Sequence, residues 1–349
     1  MIKIRNAFSN PFIATAASLV VLCVAVVIAG FSGVIDLNPS EVIAHALGSE
    51  SLSDRDWAVF FNIRLPRIVT AIIVGATLAL SGAAYQAVFR NPLADPYLLG
   101  VSAGAGLGVT LVIVSGTVLG LGAGGAGIIG AAFIGGITAV AATVMVSRGV
   151  GQGSSSATVV ILAGVAVAAF ASALQTYIQQ RNIDTISRVY VWMLGSLNVS
   201  RWESVLSVAI PATFCAVVIL ASARVLDVMT VGDVEARTLG IDPNVVRLTL
   251  VAVATLGTAS VVAISGLIGF VGIIVPHAIR LICGPGHRML LPLTLVWGAI
   301  FLVVADTIGR TLLAPQELPV GVVTAAVGAP FFLFILRRSS RAPKEARSA

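Results

Sequence analysis

Apolar residues in this chain do not alternate with polar ones. They come in long unbroken runs, at residues 12–31, 64–89, 98–115, 125–146, 157–178, 205–223, 245–264, 270–283, 290–308 and 320–336. Most of these runs approach the roughly 18–20 residues that carry an α-helix across the hydrocarbon core of a bilayer. The run 270–283 is shorter and is interrupted by Pro276. The pattern predicts an all-α, polytopic membrane protein of about ten transmembrane helices. It excludes a transmembrane β-barrel, whose strands are alternating segments of roughly ten residues. Polar breaks separate the runs. Residues 32–62 form the longest, and Asn91-Pro92 to Asp95-Pro96 a tight turn in which each proline restricts the residue before it. The break SRGVGQGSSS at 147–156 is Gly/Ser-rich, as flexible linkers are. The break 179–201 contains an amphipathic piece around 186–197.

Composition agrees. Of 349 residues, 58% are hydrophobic and only 10% charged, against about 25% charged in soluble domains. The 35 glycines suit closely packed membrane helices, in which small residues let backbones approach. Lys3 and Arg5 precede a first run that is long enough to span and is followed by no clear cleavage site, so it reads as an uncleaved first helix. Ten spans put both termini on one side. With that side inside, inner basic residues outnumber outer ones by about two to one. The inner set includes Arg90, Arg148, Arg224, Arg237, Arg247 and five basic residues of the tail 337–349. The outer set includes Arg55, Arg64, Arg67 and Arg310. The expected organisation is one transmembrane domain over 1–349, with a cytoplasmic N-terminus (1–11), a cytoplasmic segment at 224–244 and a cytoplasmic tail. The net charge of +6 is scattered over segment ends, with no aromatic-interleaved basic groove that would point to nucleic acid. Cys23, Cys215 and Cys283 lie in or beside apolar runs without metal-type spacing.

The most informative polar break is RVLDVMTVGDVEARTLGIDPNVVR at 224–247. Thr230 and Asp233 stand three apart, as N-cap signatures do. Asp233 and Arg237 have i,i+4 helical spacing, Glu235 lies between them, and Gly240 supplies a helix stop. Asp242 then caps a new helix whose first residue is Pro243. A compact charged helix–turn between two spans reads either as a loop that tolerates charge or as a docking surface for a soluble partner.

The chain has no G-x-x-x-x-G-K-[ST] loop to cradle nucleotide phosphates, and no H-E-x-x-H or G-x-S-x-G pattern. Asp306 is the one acidic residue well inside a predicted span, near its outer end. Ion-coupled carriers usually carry carboxylates or broken helices at mid-depth, so either energy comes from outside the chain or transport is passive. Leu80-Ser81-Gly82 and Ile264-Ser265-Gly266 echo each other on oppositely directed spans, as an inverted repeat would, but three residues do not establish one.

RLPRIVTAIIVGATLALSGAAYQAVFRNPLADPYLLGVSAGAGLG (64–108), DVEARTLGI (233–241), SGLIGFVGIIVPHAIRL (265–281), HRMLLP (287–292) and ELPVGVVTAAVGAPFFLFIL (317–336) resemble the FecCD-type permeases, the membrane subunits of ABC importers for iron–siderophores, haem and vitamin B12. The resemblance covers nearly everything after residue 64, in family order. It implies the type II ABC importer permease architecture, inserted in the cytoplasmic (inner) membrane and working as a dimer with a second copy or a paralogue. It implies two cytoplasmic ATPase subunits and a periplasmic or lipid-anchored substrate-binding protein as further partners. No cofactor is expected in this chain, because ATP and Mg would be bound by the ATPase. An iron–siderophore is the first expected cargo, with vitamin B12 and haem as alternatives.

Residue by residue, the resemblance implies ATPase coupling at Thr230, Asp233, Glu235, Arg237 and Gly240. It implies binding-protein docking at Arg64, Arg67 and Arg310, where guanidinium groups would make paired bonds to carboxylates. For the same arginines, snorkelling at the membrane interface is the plain alternative. Asp306 would orient Arg310 one turn later. Gly151, Gly153 and Ser154 read as part of an inner gate or as a linker. Tyr190, Trp192 and Met193 read as interfacial anchors or as the lip of an outer gate. His277, a lone helical histidine, reads as a packed residue. The reading of a different class is an ion-coupled secondary transporter, which would work without an ATPase.

Overall fold

The computed structural model describes residues 11–33, 35–49, 52–118, 125–149, 157–198 and 201–340, and these residues are helical throughout, joined by turns. In chain order the helices are α1 (Pro11–Phe31), α2 (Pro39–Ala46), α3 (Asp54–Val88), α4 (Val101–Val118), α5 (Gly125–Gly149), α6 (Ala157–Arg181), α7 (Ile186–Met193), α8 (Trp202–Ala221), α9 (Ala223–Val231), α10 (Asp233–Thr238), α11 (Pro243–Ser265), α12 (Val271–Cys283), α13 (His287–Thr311) and α14 (Val320–Ser340). Seven of them are long and apolar enough to cross a membrane, and three shorter apolar helices, within α4, at α12 and within α14, complete ten crossings. α1 and α14 run in opposite directions, and the described chain begins and finishes at the same end of the bundle as Arg90. Arg67 lies at the opposite end.

α3 occupies the centre. It packs on α13, α11, α12 and α8, and most of its residues are buried, among them Val74, Leu78, Leu80, Ala83 and Ala84. Without a difference in polarity between lipid tails and apolar side chains, close van der Waals packing must hold membrane helices together. The α3–α13 contact illustrates how. A Cβ on Gly75 would lie 2.7 Å from the Leu302 Cβ and closer still to the Gly298 carbonyl, so glycine is required for the backbones to meet at this depth. Around this centre, α1, α5, α6 and α8 leave large apolar residues uncovered, including Val20, Ile134, Phe170 and Ile210.

The predicted spans are recovered to within a few residues, with one substantial difference. Residues 52–62 do not form a polar loop before a span opening at Arg64. α3 starts at Asp54, capped by the Ser53 hydroxyl on the Asp56 N–H. It passes through a π-helical turn at Phe60–Arg64 without a break. An aromatic cluster supports this extension: Trp57 stacks on Phe60 and Phe61, and Phe61 meets Trp202 of α8. The echo at Ser81-Gly82 and Ser265-Gly266 has no common local structure. Gly82 lies inside α3, whereas Gly266 terminates α11 with φ 66°.

Candidate functional site

Two polar sites lie at opposite ends of the bundle. At one end, Arg64, Arg67 and Arg310 converge, as their placement predicts. They are not surface groups, however: they are 6%, 7% and 5% exposed. Arg64 and Arg67 share one face of α3 at i,i+3 spacing, and the π turn just before them belongs to the kind of helix irregularity that often marks functional positions. Arg67 donates through Nε and Nη2 to Asp306 at 2.9–3.1 Å, and through Nη1 to Glu317 at 2.9 Å and Asn198 at 3.3 Å. Arg310 pairs with the same Asp306 at 3.2 Å, one helical turn away, as expected. The sequence reading assigned Asp306 to Arg310 alone; the structure makes it the shared anion of two guanidiniums.

Arg310 and Arg64 have a second task. Arg310 donates to the carbonyls of Ala29 (3.0 Å) and Ser32 (3.2 Å), and Arg64 to those of Gly30 (2.9 Å) and Ile35. These are carbonyls at the C-terminal end of α1 and its exit, which have no intrahelical donors. Two cations therefore cap α1 at the negative pole of its dipole. The interfacial snorkelling alternative does not describe these side chains, which point into the bundle. Glu317 was quoted in the sequence only as the start of a motif. Its side chain is 36% exposed, against 3% for Asp306.

At the other end lies the stretch 224–247. It forms α9, α10 and the start of α11. Gly240 takes φ 79° and closes α10 with paired bonds, Ile241 N–H to the Ala236 carbonyl and Gly240 N–H to the Arg237 carbonyl, both 3.0 Å. That is the expected glycine stop. Asp242 caps α11 by accepting from the Asn244 N–H at 2.9 Å, with Pro243 in the first turn. Two expectations need correction. Thr230 does not cap α10: it sits in the last turn of α9, its hydroxyl donating to the Asp227 carbonyl, and extended Gly232 precedes α10. Asp233 does not pair with Arg237. It takes Arg90, from the turn after α3, and Arg247 of α11 at 3.3 Å. These longer-range partners leave Glu235 and Arg237 on the exposed face of α10, while Ala236 packs beneath it. Burial opposes ionisation of Asp233, but the guanidiniums of Arg247 and Arg90 outweigh it and hold its carboxyl below the usual aspartate value.

Sequence reasoning missed the roles of Arg90 and Asp227. Arg90 has φ 48° in the turn after α3, a left-handed conformation that costs roughly 1–2 kcal/mol for a residue with a Cβ. It places the side chain over the stretch, where Nε also donates to the Met229 carbonyl at 2.8 Å. The signal was a basic residue immediately before the NPLADP turn. Asp227 accepts from both the backbone N–H and Nδ1 of His287, each at 2.8 Å. It thus caps α13 from outside that helix's own sequence. The turn itself is closed locally: Asn91 and Asp95 accept from the backbone N–H groups two residues on.

Among the remaining candidates, Tyr190 and Met193 of α7 are exposed. Trp192 is half-buried and lines an open cavity of about 390 Å³ with Ile113, Ile128, Ser187, Arg188 and Val191. Gly151, Gly153 and Ser154 lie outside the described residues. Among the described residues no cluster of three or more metal-ligating side chains exists.

Comparison with solved structures gives the class. The fold superposes on an ABC transporter assigned to the metal-chelate type, in an inward-facing conformation, with TM-score 0.81 and 30% identity over 93% of this chain and 98% of that one. This is the architecture of a type II ABC importer permease. Comparison of sequences gives the family. Residues 19–338 match the FecCD transport family. Relatives include the cobalamin import system permease protein BtuC of Halobacterium salinarum, 42% identical over 79% of this chain and 72% of that protein. They also include the hemin transport system permease protein HmuU of Yersinia pestis, 39% identical over 84% and 87%. The chain belongs to the FecCD transport family: it is a membrane permease subunit of an ABC importer and not itself an enzyme.

Proposed function

We propose that this chain forms the translocation pathway of an importer for a metal chelate, with an iron–siderophore as the first cargo. It would act as a dimer, with a second copy or a paralogue, in the cytoplasmic membrane. Two ATPase subunits would engage the exposed face of α10, and a periplasmic or lipid-anchored binding protein would deliver the cargo at the Arg67 end. The observation that carries this reading is the stretch 224–247, a rigid capped helix–turn held by ion pairs to α3 and α11 in a chain that has no nucleotide-binding loop. A soluble motor needs such a feature to push against. The charge bias that puts basic residues inside supports the orientation with Arg90 and α10 in the cytoplasm.

Docking on the three arginines is proposed in a modified form. Their guanidiniums already have partners, so an incoming carboxylate reaches Arg67 by replacing Glu317, the exposed member of the cluster, while Asp306 stays in place. Cobalamin is the second reading for the cargo, favoured by the name of the relative at 42% identity. Uptake of a radiolabelled iron–siderophore and of labelled cobalamin, measured in cells with and without this gene, separates the two. Loss of iron–siderophore uptake alone upholds the first reading; loss of cobalamin uptake alone replaces it with the second.

A further inference from the structure

Both polar sites are built on the same two helices. α3 carries Arg64 and Arg67 at one end and leads directly into Arg90 at the other. α13 carries Asp306 and Arg310 at one end and begins with His287 at the other. At the Arg67 end the helices hold each other, through Arg67 and Asp306. At the Arg90 end both hold the coupling stretch: Arg90 grips the Met229 carbonyl and Asp233, and His287 grips Asp227. Between the ends they meet at Gly75 and Gly298, where no side chain separates the backbones.

Close-packed contacts of this kind do not deform continuously; they move as a unit or switch between discrete arrangements. α3 contains no proline between Arg67 and Arg90, and the one proline of α13, Pro292, lies in its second turn, beside the grip on Asp227. The remaining stretch from Leu293 to Asp306 is uninterrupted helix, about 20 Å long at 1.5 Å per residue. α11 also reaches the coupling stretch, through Arg247, but its far end meets the Ser196 N–H through the Ser265 carbonyl and not the arginine cluster.

We infer that α3 and α13 act as one strut that carries movement between the ATPase-facing stretch and the arginine cluster, and that Asp227 and Arg90 are the positioning residues that clasp the stretch to it. This rests on the assignment of α10 to ATPase contact and adds to it the route by which the contact is felt across the membrane. Arg90 bonds to the Met229 carbonyl and Asp233, and Asp227 to His287. Their effect is to make the position of α9 and α10 depend on that of α13 and α3.

The test uses the complete transporter reconstituted with its ATPase and binding protein, comparing Asp227→Ala, Asp227→Asn and Arg90→Gln. Asparagine keeps an oxygen that accepts from both His287 groups, and alanine does not. In Asp227→Ala and Arg90→Gln the ATPase subunits should still co-purify, while the stimulation of ATP hydrolysis by cargo-loaded binding protein falls at least tenfold. Asp227→Asn should restore most of it. Normal stimulation in Asp227→Ala, with or without a lowered melting temperature, would overturn the strut, since the cap would then be structural only. Loss of ATPase co-purification in Asp227→Ala would also overturn it, because Asp227 would then act in docking itself. If Arg237→Glu on the exposed face leaves co-purification intact, the docking assignment fails, independently of how the Asp227 variants behave. Should Asp227→Ala not accumulate in the membrane, Arg90→Gln alone decides the matter by the same readout.

Discussion

Arg67 shows how much one side chain can carry in an apolar setting. It satisfies two carboxylates and an amide from a nearly buried position, and its loss or theirs would not be equivalent. Removing one partner of a buried pair costs about 3–5 kcal/mol because the other charge stays behind, whereas a pair with an exposed partner is worth about 1 kcal/mol or less. Asp306→Ala removes the buried anion shared by Arg67 and Arg310, leaving Arg310 with neutral hydrogen-bond partners, and should lower the thermal unfolding temperature in detergent sharply. Glu317→Gln should leave it nearly unchanged. Equal shifts would mean that Asp306 is not the anchor of the cluster.

Asp95 gives a second prediction at this scale. Burial pushes its carboxyl up to about 6, against the opposing bond from the Tyr97 N–H. A carboxyl raised in the folded state favours folding in its protonated form. That contribution is present below the unfolded value near 4, declines between about 4 and 6, and is gone above 6. Asp95→Asn should therefore stabilise the protein above pH 6 and give no advantage near pH 4. Unfolding temperatures of both proteins across that range check this. Neither arginine cluster nor Asp95 was fully legible in the sequence. The motif located Arg64, Arg67 and Arg310 at one end, but burial depends on how α1, α3 and α13 cross, which no local pattern encodes.

At the scale of elements, the apolar runs specified the ten crossings well, because each must be helical to satisfy its own backbone in lipid. The start of α3 was the exception. Asp54, Arg55 and Asp56 broke the hydropathy signal, while the aromatic cluster around Trp57 that supports the helix is completed by one residue far along the chain, Trp202. In the coupling stretch, Gly240, Asp242 and Pro243 were readable because caps are local. The partners of Asp233 were not: an i,i+4 pair with Arg237 is only a surface interaction of a few tenths of a kcal/mol, and tertiary arginines displaced it. This divides α10 into an inward Asp233 and an outward Glu235 and Arg237. Arg237→Glu should weaken co-purification of the ATPase and leave the melting temperature unchanged. Asp233→Lys should lower both, since it faces Arg90 and Arg247 with a like charge.

For the whole molecule, the fold joins a central packed pair, α3 and α13, to a periphery of helices with uncovered apolar faces. The length and order of the crossings were in the sequence; the central place of α3 was not, and became clear only where Gly75 and Ala79 meet α13 and Gly82 meets α12. The central functional claim is that transport is driven from outside this chain, through the stretch 224–247. The most direct measurement is uptake of cargo into proteoliposomes containing the permease, with the binding protein present outside and the ATPase subunits with ATP supplied or withheld. Uptake is expected only when ATPase and ATP are both present, and it should be insensitive to collapse of proton and sodium gradients. Uptake that proceeds without the ATPase and stops when an ion gradient is collapsed would contradict it.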